Sequence, residues 1–398
     1  MTRNMRLLTK LEIDRIGRLR QSGIDIALFQ PTATGLRKSI LDATENIRIL
    51  WKESEYHDYS FQRVGQDSKV SKKAYVVDAK GTVSLRDISL YRPSTKKGDP
   101  RFWVSRLSTH ASPNDIVAIC VVGSECWILN VTISDVDRIL KLDYGFAAAI
   151  LRPKTEKHLI VSDLTGILQE ISLKGYIPAD GIGDTMVGRV LEKEIGIAPN
   201  SSKAPDYFGI EIKARRERAN AKYRHTLFAK TPNWSISEVK SSRDLLDRLG
   251  FGEFDNRRLY CTVKSSSPNS HGLYLKVLAG EGLLQEFCAQ EENPEVVSWV
   301  LKDLHQTLIA KHAETFWVTA KTRIVSGREY FHYTQVEHTA SPVVEQFDRL
   351  VDEGLIQIDH LIKRYGRSVR EKGPLFKLVR TGFPLLFPSS RVFDLAIE

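Results

Sequence analysis

The chain has 398 residues, 42% of them hydrophobic and 27% charged, which suits two domains with their own cores and excludes a disordered or fibrous protein. Lysine and arginine total 58 against 49 acidic residues, a net charge of +9 with an isoelectric point near 9.2. That excess points to a polyanionic partner, nucleic acid or an anionic membrane, although basic housekeeping enzymes share it.

The N-terminal "MTRNMRLLTKLEIDRIG" alternates charged and apolar residues and lacks the apolar block of a signal peptide. No apolar run approaches a membrane span, so a cytoplasmic protein with no membrane partner is expected. The first 150 residues read as mostly β with one or two helices. "LRKSILDATENIRILWK" has helical spacing at Leu36, Ile40, Ile47, Leu50 and Trp51. Short branched and aromatic runs follow: "KAYVVDA", "TVSLRDISLY", "RFWVSRL", "DIVAICVV" and "ECWILNVTI". Turn residues punctuate them as in a barrel or sandwich. The four cysteines, Cys120, Cys126, Cys261 and Cys288, lack the paired spacing of a zinc site and are expected as buried thiols.

A polar, proline-marked stretch opens a linker region over 151–172, leaving 173–398 as a second domain. There the pattern alternates, with helices at "LTGILQEISLKG" and "TMVGRVLEKEIG" and a strand at "FGIEIKA". A long helix over "PEVVSWVLKDLHQTLIAKHA" precedes strands at "TFWVTAKTRI" and "EYFHYTQV". A last helix, "PVVEQFDRLVDEG", leads to the strand "LIQIDHLIKR". This predicts an α/β or α+β domain around a central mixed sheet.

The stretch "PDYFGIEIKARRERA" concentrates the chemistry. Residues two apart in a strand share a face, so Glu211 and Lys213 project together, and the flexible Gly209 lets Asp206 approach from a turn. Two converging carboxylates make a Mg²⁺ site, because this hard cation takes oxygen ligands and retains waters. Such an ion polarises a phosphate and activates a water, while Lys213 orients that water or steadies charge on the phosphate. Arg215, Arg216 and Arg218 would then meet a DNA backbone. A bare D-x4-E-x-K also arises by chance, and an amphipathic strand with a charged outer face satisfies the same spacing.

The longer context "GIGDTMVGRVLEKEIGIAPNSSKAPDYFGIEIKARRE" resembles the MvaI/BcnI family of restriction endonucleases, relatives of the MutH repair nuclease with a PD-(D/E)XK core. The shared pattern is a glycine-flanked helix carrying "LE", then "GI", an asparagine-containing loop and "PD..GIE.K". The resemblance implies Asp206 and Glu211 as metal-binding carboxylates, Lys213 as the catalytic lysine and Glu192 as an auxiliary acid. Glu194, two residues further along the helix, points elsewhere and reads as a solvated charge.

Seven basic residues lie between Lys363 and Arg380 against one acid, Glu371. The family uses the equivalent segment to read base edges. Lys372 and Lys377 could donate to guanine and Asp359 could accept from cytosine. Departures from the family pattern at Arg370, Lys372 and Lys377 leave phosphate contacts open for them. His332 and His338 read as half-buried strand histidines or as DNA contacts.

In the first domain, Arg86, Arg92, Lys96, Lys97, Arg101 and Arg106 form one basic cluster, and Arg63, Lys69, Lys72 and Lys73 a second. Two basic loops on a small β-barrel make a clamp suited to a major groove. "KKGDPRFWVSRL", with Asp99 embedded, resembles the recognition loop of B3-like DNA-binding domains of the EcoRII type. A solubilising or dimerising module is the other reading. The resemblance implies a B3-like pseudobarrel over 1–150 followed by an MvaI-like nuclease, the plan of a monomeric type IIE enzyme. It implies cleavage of double-stranded DNA at a CCNGG-type site, CCWGG foremost. It also implies a second DNA copy bound as effector and a cognate DNA methyltransferase in the host. A MutH-like nickase and a non-catalytic DNA-binding regulator are the alternatives.

Overall fold

The computed structural model describes residues 5–95, 98–150, 156–183, 185–197, 205–217, 224–388 and 390–396. The chain divides into a unit of Met5–Leu159 and a unit of Ile160–Glu398.

The first unit runs α1 (Lys10–Gln21), β1 (Ile26–Phe29), α2 (Ala33–Lys38), β2 (Leu41–Asp42), α3 (Glu45–Glu53), β3 (Val70–Val77), β4 (Val83–Tyr91), β5 (Arg101–Val104), β6 (Val117–Val122), β7 (Glu125–Asn130), α4 (Val136–Ile139) and α5 (Gly145–Ile150). Its sheet has the order β1-β6-β7-β3-β4-β5-β2, antiparallel except where β3 runs parallel to β7. Trp51 of α3 and Phe102 of β5 meet edge to face at 5.3 Å in the core, with Phe29 on the other side of Phe102. Strands β3 to β7 fall on the five branched runs, whereas β1 and β2 were not among them.

Helix content exceeds the expected one or two. Helix α1 is closed by a capping box in which Thr9 and Glu12 satisfy each other's backbone donors. The helix expected through Leu36 and Trp51 is interrupted. Ser39 turns left-handed at φ 57, Leu41 pairs with Phe102 at the sheet edge, and α3 starts afresh after Thr44. Helical spacing survives the break because the segments on either side of it each present an apolar face to the core.

The second unit runs α6 (Glu156–Leu173), β8 (Ile177–Pro178), α7 (Met186–Ile195), β9 (Ile210–Arg216), β10 (Arg224–Ala229), α8 (Ser242–Leu249), β11 (Arg258–Val263), β12 (Leu273–Leu278), β13 (Leu283–Cys288) and β14 (Glu295–Val300). It continues with α9 (Leu301–His312), β15 (Glu314–Val325), β16 (Arg328–Ala340), α10 (Phe347–Asp352), β17 (Ile356–Tyr365), β18 (Ser368–Glu371), β19 (Leu375–Val379), α11 (Phe383–Leu386) and β20 (Arg391–Asp394).

Among the described residues three sheets form here, the expected mixed sheet and two more. A mixed sheet of order β20-β16-β15-β9 has β9 parallel to β15. A second sheet has the order β10-β19-β17-β11, and a third, β12-β13-β14. The expected linker over 151–172 is helical from Glu156, and Leu164, Leu168 and Ile171 of α6 are buried in the core. The long helix expected from Pro294 begins only at Leu301. The preceding "EVVSWV" is strand β14, where β-branched valines favour the extended chain.

Helices α6 and α7 cover one face of the mixed sheet, where Ile210, Ile212, Phe316 and Val318 are buried. The alternate residues of β9 and β15 therefore face the other side. The cysteines are unbridged, three of them buried and Cys261 half-buried. Among the described residues no helix is long and apolar enough to cross a membrane.

Candidate active site

Asp206 and Glu211 meet because the chain between them is a tight hairpin. Tyr207 and Ile210 exchange both backbone hydrogen bonds, at 2.9 and 2.7 Å. The two residues between, Phe208 and Gly209, have φ of 42 and 92, the positive pair of a type I′ turn. With Tyr207 opposite Ile210, the next cross-chain pair outward is Asp206 and Glu211, so the four-residue gap in the sequence is the hairpin itself. The Ile212 amide donates to Asp206 Oδ2 at 2.9 Å and fixes that carboxylate beside the strand.

Glu211 is 2% exposed, yet both its oxygens are engaged by ammonium groups. Lys213 Nζ donates to Oε1 at 2.6 Å, and Lys311 Nζ to Oε2 at 3.3 Å. Lys311 was absent from the sequence reading. It lies in the last turn of α9, just ahead of β15, and β15 pairs Thr315 with Glu211. Parallel pairing thus lands the end of α9 beside the glutamate. His312 locks that turn. Its ring nitrogens bond Thr315 Oγ1 and the Leu227 carbonyl, both at 2.9 Å, and it stacks on Trp317. Burial pushes the His312 pKa down to about 3, so the ring is neutral.

The third carboxylate is Glu192, half-buried on α7. Burial raises its pKa, and the charge on Asp206 raises it further. Asp206 is raised by burial too, with the charge on Glu211 adding to it. Three carboxylates therefore share one electrostatic neighbourhood with two lysines. Among the described residues no three His, Cys, Asp or Glu side chains stand as a ready-made metal cluster. The donor set still suits a hard divalent cation, being all carboxylate oxygen.

Arg215 shares the face of Glu211 and Lys213, donating to Thr319 Oγ1 at 3.1 Å. Arg216 lies on the opposite face, in a two-pronged pair with Glu329 at 2.7 and 2.8 Å. Arg218 lies outside the described residues. Asp359 is 7% exposed and holds Arg224, Thr262 and Lys377, so Asp359 and Lys377 are each other's partners. Arg370 and Lys372 are exposed. Glu194 pairs with Lys174 at the surface. His332 bonds the Ser172 carbonyl, and His338 bonds Glu314.

In the first unit, Lys69 and Asp99 are exposed, and Lys73 pairs with Asp87 at 2.6 Å. Arg101 lies within 3.5 Å of Asp42. Arg92 braces two loops, donating to the Gly98 and Gln62 carbonyls at 2.9 and 3.2 Å. Lys96 and Lys97 lie outside the described residues.

The chain belongs to the MvaI/BcnI restriction endonuclease family, a family of type II site-specific deoxyribonucleases, whose model matches residues 166–387. Among solved structures, restriction endonuclease MvaI bound to its cognate DNA substrate is similar at 21% identity and a TM-score of 0.51, covering 61% of this chain and 100% of that one. MvaI in the absence of DNA aligns at 22% identity with a TM-score of 0.35, covering 62% of this chain and 100% of that one. No curated protein matches the chain.

Proposed function

We propose that the second unit is a Mg²⁺-dependent PD-(D/E)XK nuclease domain that hydrolyses phosphodiester bonds of double-stranded DNA at a CCNGG-type site, foremost CCWGG. The observation that carries this reading is the hairpin that brings Asp206 opposite Glu211 with Lys213 on the same face. Asp206 and Glu211 would hold the ion. When bound, it supplies a polarised phosphate and a water of lowered pKa. Lys213 orients the attacking water and stabilises charge gathering on the phosphate oxygens. Lys311 holds Glu211 in place. Glu192 acts as the auxiliary acid near the ion. Arg215, Arg370 and Lys372 contact the DNA backbone, while Asp359 and Lys377 read base edges on exchanging their mutual pairing for bases.

The first unit serves as a B3-like effector domain that binds a second DNA copy, making the enzyme type IIE. In support, Arg92 and Gln62 tie its two basic loops into one braced surface that leaves Lys69 and Asp99 exposed. With one catalytic site per chain, a monomer cuts the strands in succession, and a host methyltransferase protects the same site.

The reading is tested by digesting unmethylated phage DNA with Mg²⁺, with and without a short duplex as effector, and sequencing the fragment ends. Discrete ends at one short motif, absent with Lys213→Ala, are expected. DNA left intact under both conditions overturns the assignment.

A further inference from the structure

The hairpin that carries Asp206 and Glu211 ends in a residue its own backbone does not favour. Phe208 sits in the left-handed region at φ 42, where a type I′ turn ordinarily places glycine, asparagine or aspartate. Its side chain is 79% exposed, meeting Tyr207 edge-on at 5.0 Å. At the neighbouring Gly209 nothing lies within 4 Å of where a Cβ would be, so the tip stands in open space. Tyr207, in contrast, is anchored, its hydroxyl donating to Asp163 at 2.6 Å. A phenylalanine at position 208 therefore serves neither the turn nor the core.

We infer that Phe208 is a substrate-contacting residue, an apolar finger that packs on the sugar beside the phosphodiester under attack. This rests on the nuclease reading of the site. The tip is about 7 Å beyond the carboxylate row, two residue rises along a strand. Successive nucleotides of one DNA strand rise about 3.4 Å. A backbone that brings a phosphate to Asp206 and Glu211 thus lays the next nucleotide or two against the ring. An apolar ring packs on the deoxyribose that a duplex backbone presents whatever the sequence, whereas a small polar turn residue offers no such face.

The test uses the full chain with Phe208→Asn, and Phe208→Gly as the second variant. Both residues suit the turn, so thermal midpoints equal to or above wild type are expected. On a duplex carrying the cleaved site, KM rises about tenfold, the loss of one apolar contact to the backbone sugar, while kcat changes little. A duplex with 2-aminopurine beside the scissile phosphate gives a second readout. Its fluorescence changes on binding to Lys213→Ala but not to Lys213→Ala combined with Phe208→Asn. Unchanged KM and an unchanged fluorescence response in both Phe208 variants overturn the inference, as does a lowered midpoint in both, which makes Phe208 a packing residue. A wild-type chain that cuts no duplex overturns the nuclease reading instead.

Discussion

Two buried carboxylates in the second unit are paired alike and sit in opposite electrostatic company. Glu211 is clasped by Lys213 and Lys311, and Asp359 by Arg224 and Lys377. Around Asp359 the charges close. Burial alone would raise its pKa, but hydrogen bonds from Lys377, Thr262 and Arg224 outweigh burial and hold it below the ordinary carboxylate range. Around Glu211 they do not, because Asp206 and Glu192 crowd the same space and both are pushed up. Ion pairing alone does not mark a functional site. What separates the two is the crowding of several carboxylates, a repulsion that a bound cation would relieve.

The same substitution in each cluster gives the largest contrast. Asp359→Asn leaves Arg224 and Lys377 facing a neutral partner in a buried setting and is expected to cost about 3 kcal/mol, read as a lowered denaturation midpoint. Asp206→Asn removes a repulsion, so the metal-free midpoint holds or rises while cleavage falls on the order of 10³-fold. Equal destabilisation by both would erase the distinction.

A smaller effect is expected at Lys311. Its 3.3 Å contact to Glu211 is longer than the 2.6 Å contact of Lys213. Lys311→Met should lower kcat about tenfold with DNA affinity retained, and Lys311→Arg should restore part of it. A loss as deep as that of Lys213→Ala would place Lys311 among the groups that touch the reacting atoms.

Lys311 also marks where the sequence stopped being legible. Asp206, Glu211 and Lys213 lie within eight residues, so strand alternation and one turn bring them together. Lys311 arrives through the parallel register of β9 and β15, about which local sequence says nothing. The three acceptor contacts of Asp359 were hidden for the same reason: Arg224, Thr262 and Lys377 come from three strands. The alternation that pairs Glu211 with Lys213 already assigns Arg216 to the far face. "PEVVSWV" misled because a short apolar run fits a helix or a strand, and the valines were the available discriminator.

The smallest effect is a pH dependence whose sign differs between the clusters. Asp206 and Glu192 have raised pKa values in the folded state. The folded chain thus holds protons that the unfolded chain releases, and stability is lost as pH rises from the ordinary carboxylate range through the raised values. The loss is about 1 kcal/mol or less, because both groups keep some contact with solvent. Asp359 runs the other way, adding stability above the ordinary range and losing it on acidification. His225 and His312, each lowered to about 3 chiefly by burial, deepen the acid side, because stability falls as pH drops from about 6.5 toward 3. A divalent cation binds the ionised carboxylates, so the Mg²⁺-induced rise in midpoint should grow between about pH 4 and 7. In Asp206→Asn combined with Glu192→Gln that growth should flatten, while the acid-side loss from the histidines and Asp359 stays. A Mg²⁺ shift that is flat across this range in the wild type would mean that the carboxylates around Glu211 are as closed a network as the one around Asp359.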